Sequence, residues 1–186
     1  MVLRTACKEA AQWTAPLSVS VNLSPRQFQD ASLASTVVSA LSHGGLPASR
    51  LELEITEGAL LDDTEAVIAT LRQLKQPGVK IAMDDFGTGY SFLSYLPKFP
   101  FDKIKIDQSF VRNLDSNPES AAIVRAVTAL GDSLGMVTIA EGVETEHQLD
   151  QIAKDGCQQV QGNLTGKPMP QDAAAALVLA QIAKPE

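Results

Sequence analysis

Apolar positions recur along this chain with two alternating periods. Short runs with an alternating tendency, clearest in Leu17 to Leu23 and Leu51 to Ile55, recur at Val79 to Asp84, Phe101 to Asp107, Met136 to Glu141 and Gln158 to Gln161, each bounded by turn-forming residues. That period predicts strands. Between the runs the spacing lengthens to that of an amphipathic helix, at Val2 to Trp13, Leu33 to His43, Asp63 to Lys75, Glu119 to Leu134 and Glu146 to Lys154, with Gln171 to Ala183 closing the chain. Strands alternating with helices indicate a parallel α/β sheet.

An open doubly wound sheet and a closed barrel both satisfy that alternation, and the faces of the strands separate them. Val19, Val21 and Leu23 share one face while Ser18, Ser20 and Asn22 share the other. Leu51, Leu53 and Ile55 likewise oppose Glu52 and Glu54, and Ile104 and Ile106 oppose Lys103, Lys105 and Asp107. Strands of an open parallel sheet are buried on both faces and should be apolar on both. Polar residues on one face, concentrated at C-terminal strand ends, fit a barrel whose mouth carries chemistry. The expectation is a (β/α)8 TIM-like barrel with six of its strands visible, where a complete barrel has eight strands in about 250 residues. The first helix starts in mid-pattern without a cap, so further sequence is expected before it.

Composition narrows the partners. At 186 residues and 45% hydrophobic the chain suits one domain with one core. Its formal charge is −7, with no basic stripe, which argues against binding a nucleic-acid polymer. Cys7 and Cys157 lie at opposite ends, outside any metal or redox pattern, and fit a reducing, cytoplasmic setting. The longest apolar run, Ala173 to Ala180, is too short to span a bilayer, so no membrane contact is expected of this piece.

Candidate chemistry gathers at strand ends. Met83-Asp84-Asp85-Phe86-Gly87-Thr88-Gly89 places two adjacent carboxylates before a glycine-bearing loop, a pairing suited to hard divalent cations that keep waters and phosphate oxygens among their ligands. Read alone, two such acids are more often turn formers than metal ligands. Asn22, Glu54 and Glu141 end other strands, each offering an oxygen to the same rim. Singly, Asn22 could cap the helix after Ser24-Pro25, Glu54 could be a solvated strand residue, and Glu141 and Glu144 could serve a helix start. Lys105 could hold a phosphate oxygen or orient water, or could form an ion pair with Asp107 or a lumen acid. Gln161-Gly162 follows the last strand and could donate to a ligand. His43 and His147 sit at helix ends, so a general base is expected to be a carboxylate.

These residues closely resemble the EAL family of cyclic di-GMP phosphodiesterases. The likeness rests on Val21-Asn22-Leu23-Ser24-Pro25, Leu53-Glu54-Ile55-Thr56-Glu57, Asp84-Asp85-Phe86-Gly87-Thr88-Gly89-Tyr90-Ser91, Ile104-Lys105-Ile106-Asp107, Ala140-Glu141-Gly142-Val143-Glu144-Thr145 and Gln161-Gly162 followed by Lys167-Pro168. The resemblance implies that Asn22, Glu54 and Asp84 hold a first metal, Mg2+ or Mn2+, and that Asp84 bridges to a second held by Asp85. It implies that Asp107 and Glu144 support this metal site, that Lys105 contacts the attacking water or the scissile phosphate, and that Glu141 is the acid/base. Gln161 would line the ligand pocket, and Glu57 would brace the loop beginning at Phe86. The implied reaction is hydrolysis of cyclic di-GMP to linear pGpG.

The Glu-Ala-Leu segment that names the family does not occur here. Residues 1–186 are therefore expected to form an N-terminally truncated EAL-type domain, weakly active or inactive alone, that associates into a homo-oligomer covering its open side. Sensory or GGDEF domains are expected upstream in a longer bacterial parent, which could be membrane-anchored. A cyclic di-GMP receptor and a degenerate dimerisation module are the alternative readings. Smaller departures from the family pattern are Phe92, where a second serine is common, and Asn163, where an aromatic residue usually follows Gln161-Gly162.

Overall fold

The computed structural model describes residues 2–60, 64–88 and 96–182. Its strands are β1 (Val19–Leu23), β2 (Leu51–Thr56), β3 (Lys80–Phe86), β4 (Lys103–Ile106), β5 (Val137–Glu141) and β6 (Gln159–Gln161). They form one sheet, parallel throughout, in the order β1-β2-β3-β4-β5-β6. Each strand lies beside its predecessor with no reversal, which is the winding of a barrel and not of a doubly wound sheet. In the described residues β1 and β6 are the outer strands.

The helices are α1 (Val2–Ala11), α2 (Pro25–Phe28), α3 (Leu33–Gly44), α4 (Thr64–Lys75), α5 (Gln108–Arg112), α6 (Pro118–Leu134), α7 (Glu146–Lys154) and α8 (Gln171–Ile182). The predicted long helices agree within two residues at the ends that can be compared; Asp63 and Ala183 lie outside the described residues. The short α2 matches the helix expected after Ser24-Pro25, which its start signals marked, while α5 went unpredicted because five residues show no period. Both begin at side-chain caps. Ser24, not Asn22, caps α2, its hydroxyl accepting from the Gln27 amide while the Gln27 side chain accepts from Ser24 N. Asp107 caps α5 by accepting from Ser109 N at 2.9 Å.

One sheet face is apolar. Leu51, Leu53, Ile55, Ile81, Met83, Ile104 and Ile106 are completely buried, packed in one core with Val37, Leu41, Leu71, Leu74, Val124 and Ile152 of the helices. The other face curls into a polar concavity. A strand two places away in a flat sheet is about 9.6 Å distant, yet Lys105 on β4 reaches Glu54 on β2 at 3.0 Å. Long side chains close the remaining gap because the sheet bends around them.

At the mouth, Gly162 lets two backbones touch. A Cβ there would lie 2.2 Å from Val143 O, where Val143 N donates to Gln161 O and Leu164 N donates to Val143 O. Those bonds hold the segment after β6 against the segment after β5. Since backbone atoms cannot swing aside as a side chain would, Gly162→Ala is expected to cost about 3 kcal/mol, near the upper end for overpacking, as read from the midpoint of urea unfolding.

Candidate active site

Strand register decides which residues face the concavity. Asn22 pairs with Glu54, Glu54 with Ala82, and Thr56 with Asp84. Ala82 pairs with Lys103, Lys105 with Ile139, and Glu141 with Gln161. Directly paired residues of neighbouring strands point the same way. Asn22, Glu54, Asp84, Lys105, Glu141 and Gln161 therefore rise from one face, each near the C-terminal end of its strand.

The centre of this rim is an ion cluster. The Lys105 ammonium lies 2.6 Å from Glu141 Oε1, 2.9 Å from Asp84 Oδ1 and 3.0 Å from Glu54 Oε2. The contact with Asp84 is an ion pair without hydrogen-bond alignment. Lys105 retains only 2% of its exposure. Burial alone would depress its basicity, but the close carboxylates of Glu141, Asp84 and Glu54 more than offset that and hold the amine above the ordinary lysine range. Glu141 moves in the other direction. Burial pushes its carboxyl up, the Lys105 ammonium pulls it down, the charges of Asp84 and Glu54 push it up again, and the result stands above the usual carboxylate range. The ion-pair partners of Lys105 thus prove to be three lumen acids, and Asp107 is engaged as the α5 cap.

Asp85 joins the rim through a backbone irregularity. Adjacent strand residues normally point to opposite faces, so simple alternation sends Asp85 outward. The register between β3 and β4 shifts between Met83 and Phe86, and Asp85 takes φ 54°. Asp tolerates this left-handed conformation better than most residues. One oxygen each from Asp84, Asp85 and Glu141 consequently lies within 4.8 Å of the others. Burial, then the charges of Asp84 and Asp107, raise the Asp85 carboxyl. The strand also runs two residues beyond Asp84, to Phe86, so the turn begins at Gly87. Three converging hard oxygen donors are a set that Mg2+ or Mn2+ could accept.

The remaining predicted residues ring this centre. Asn22 is exposed beside Glu54 and lines a separate cleft with Ser20 and Gln27. Gln161 and Glu144 line a pocket of about 590 Å³ together with Glu141, Trp13, Arg112 and Lys167. Glu144 N donates to Gln148 Oε1 at 2.8 Å, and Asn163 Nδ2 donates to Glu144 Oε1 at 3.5 Å. Gly142, with φ 71°, turns the chain after Glu141 and sits so close to Gln108 that a Cβ would meet that side chain at 2.6 Å. Glu57 is buried in the turn that follows β2. Gly89, Tyr90, Ser91 and Phe92, in the loop Glu57 was expected to brace, lie outside the described residues. Trp13, Arg112 and Lys167 were not anticipated at the pocket; isolated residues on helices and loops carry no periodic signal.

The sequence profile of the EAL domain matches residues 1–168. The chain belongs to the EAL domain family. Protein y4lL of Sinorhizobium fredii is 54% identical to this EAL domain over 177 residues, 95% of this chain and 21% of that protein. MucR of Pseudomonas aeruginosa, a bifunctional diguanylate cyclase/cyclic di-GMP phosphodiesterase, is 42% identical over 181 residues, 95% of this chain and 26% of that protein. The solved PaMucR phosphodiesterase, in complex with c-di-GMP, aligns with TM-score 0.89 and 42% identity over 93% of this chain and 72% of that one. Klebsiella pneumoniae BlrP1, solved with manganese and the same cyclic dinucleotide, aligns with TM-score 0.80 and 31% identity over 87% of this chain and 42% of that one. The EAL domain described here thus spans about a fifth to a quarter of the length of these curated relatives. No helix among its described residues is long and apolar enough to cross a membrane.

Removing the ammonium from this cluster strands three carboxylates in a poorly solvated site. Lys105→Met is expected to destabilise the metal-free protein by about 3 to 5 kcal/mol. A carboxyl whose folded pKa is raised, as that of Glu141 already is, loses stability as pH rises through that pKa and regains it below. The deficit should therefore be largest at neutral pH and shrink on acidification, as measured by denaturant unfolding across pH.

Proposed function

We propose that this EAL domain provides the metal-holding rim of a site that hydrolyses cyclic di-GMP to linear pGpG. The observation that carries the reading is the convergence of Glu54, Asp84 and Glu141 on one buried ammonium, with Asp85 turned onto the same rim. The matches to a cyclic di-GMP phosphodiesterase and to ligand-bound EAL structures support it. Asn22, Glu54, Asp84 and Asp85 would hold a pair of Mg2+ or Mn2+ ions, with Asp107 and Glu144 in support. When bound, such a pair activates water and neutralises charge developing on a phosphodiester.

The chain's own residues supply the rest. Lys105 is fixed in its charged form and can hold a phosphate oxygen or orient the attacking water. Glu141, raised above the usual carboxylate range, would carry a proton toward the leaving oxygen. Gln161 and the pocket beyond it would receive the ligand, with Arg112 and Lys167 supplying positive charge. Residues 1–186 contain no Glu-Ala-Leu segment and, among the described residues, β1 and β6 do not pair with each other; these residues taken alone would turn over slowly and associate with further chains.

Calorimetric titration with Mn2+, then with cyclic di-GMP, tests the reading. Manganese should bind, and binding should fall at least about tenfold in Asp84→Asn, which removes a rim charge. Linear pGpG should form slowly. Ligand binding with no detectable pGpG would assign the domain as a receptor, and failure to bind manganese at all would refute the metal rim.

A further inference from the structure

Beneath the rim lies a second polar layer that faces the same concavity. Each of its members precedes a rim residue by two positions on the same strand: Ser20 below Asn22, Glu52 below Glu54, Lys103 below Lys105 and Gln159 below Gln161. Two residues of strand rise about 6.6 Å, so the backbone of this layer stands one side-chain period deeper than the rim. Its members are joined. Lys103 Nζ lies 2.8 Å from Glu52 Oε2 and donates to Gln159 Oε1 at 3.3 Å, while Ser20 Oγ donates to Glu52 Oε1 at 3.0 Å.

Ser20 and Glu52 are paired neighbours on β1 and β2, but the two contacts made by Lys103 cross strands that share no main-chain bond. From β4, Lys103 passes over β3 to reach β2 and over β5 to reach β6. The position it crosses on β3 is Ala82, its paired neighbour, whose small side chain leaves the path clear. Backbone ladders fix the spacing of adjacent strands, but the separation of β2 from β4, and so the curl, is set by side chains inside the concavity. The rim repeats the device one level up, where Lys105 on β4 reaches Glu54 on β2.

We infer that Lys103, with Glu52, is a positioning residue that sets the distance between Glu54 on β2 and the Lys105, Asp84 and Glu141 groups, and thereby the affinity of the rim for a divalent cation. The inference rests on the reading of the rim as a cation site. Charge alone predicts the opposite sign, since deleting a nearby lysine should strengthen cation binding. A positioning role predicts weakening.

The test compares Mn2+ dissociation constants by calorimetry, and melting midpoints, for the wild type, Lys103→Met, Lys103→Arg and Lys75→Met. The last breaks the Lys75–Asp102 ion pair, at 2.7 Å, away from the rim. Lys103→Met is expected to bind Mn2+ about tenfold more weakly, in the range found when groups supporting metal ligands are lost. Lys103→Arg should recover most of the affinity, and Lys75→Met should leave it unchanged whatever its melting point. Should Lys103→Met fail to fold, Lys103→Gln carries the same expectation. Unchanged or tighter Mn2+ binding in the neutral variants, beside a wild type that binds, overturns this inference and leaves the cation site standing. A wild type that does not bind Mn2+ removes both.

Discussion

A lysine ammonium surrounded by three carboxylates in a poorly solvated cavity survives only if the groups stay together, and the site depends on that constraint. Desolvating four ionic groups costs several kcal/mol each, and mutual attraction repays the cost only at short range and good geometry. Lys105, Glu54, Asp84 and Glu141 come from four strands and meet within 3.0 Å. The sheet must therefore keep those strands at a constant separation and curvature. An arrangement that demanding is a poor source of stability and a good source of preorganisation, because oxygen donors held in place by one cation are already gathered for another.

The two faces of the sheet divide the labour. Branched aliphatic side chains against the helices drive folding by burying apolar area and give no directional instruction about the mouth. The concave face contributes little hydrophobic stabilisation and carries the geometry. Loops complete the arrangement through local bonds. The Thr145–Gln148 capping box accepts and donates around the start of α7 while the Gln148 side chain also holds Glu144 N, so the segment after Glu141 is tied to a helix end. Close backbone approach at Gly162 joins that segment to the end of β6.

Family membership and geometry bear on different statements. The EAL profile and the similarity to cyclic di-GMP phosphodiesterases identify the kind of barrel and the chemistry of the relatives. The ion cluster, the turned Asp85 and the layered lumen belong to this chain. They indicate how the residues of this sequence would serve that chemistry, since fold alone does not assign function.

Local pattern determined a large part of the answer. Alternation in Leu17 to Leu23 and in Leu51 to Ile55 marked strands and their polar faces because the side-chain period of a strand is a property of a few consecutive residues, and the long helices were legible for the same reason. Tertiary structure alone decided what alternation cannot encode. Asp85 faces the rim because a bulge and a left-handed backbone override the period of two. Asp107, which alternation placed on the lumen face, turns to cap α5 because the strand ends one residue earlier. Whether Lys105 meets Glu54 or Asp107, and whether Lys103 reaches Glu52 across Ala82, depends on register and curvature, and these arise only when distant segments pair.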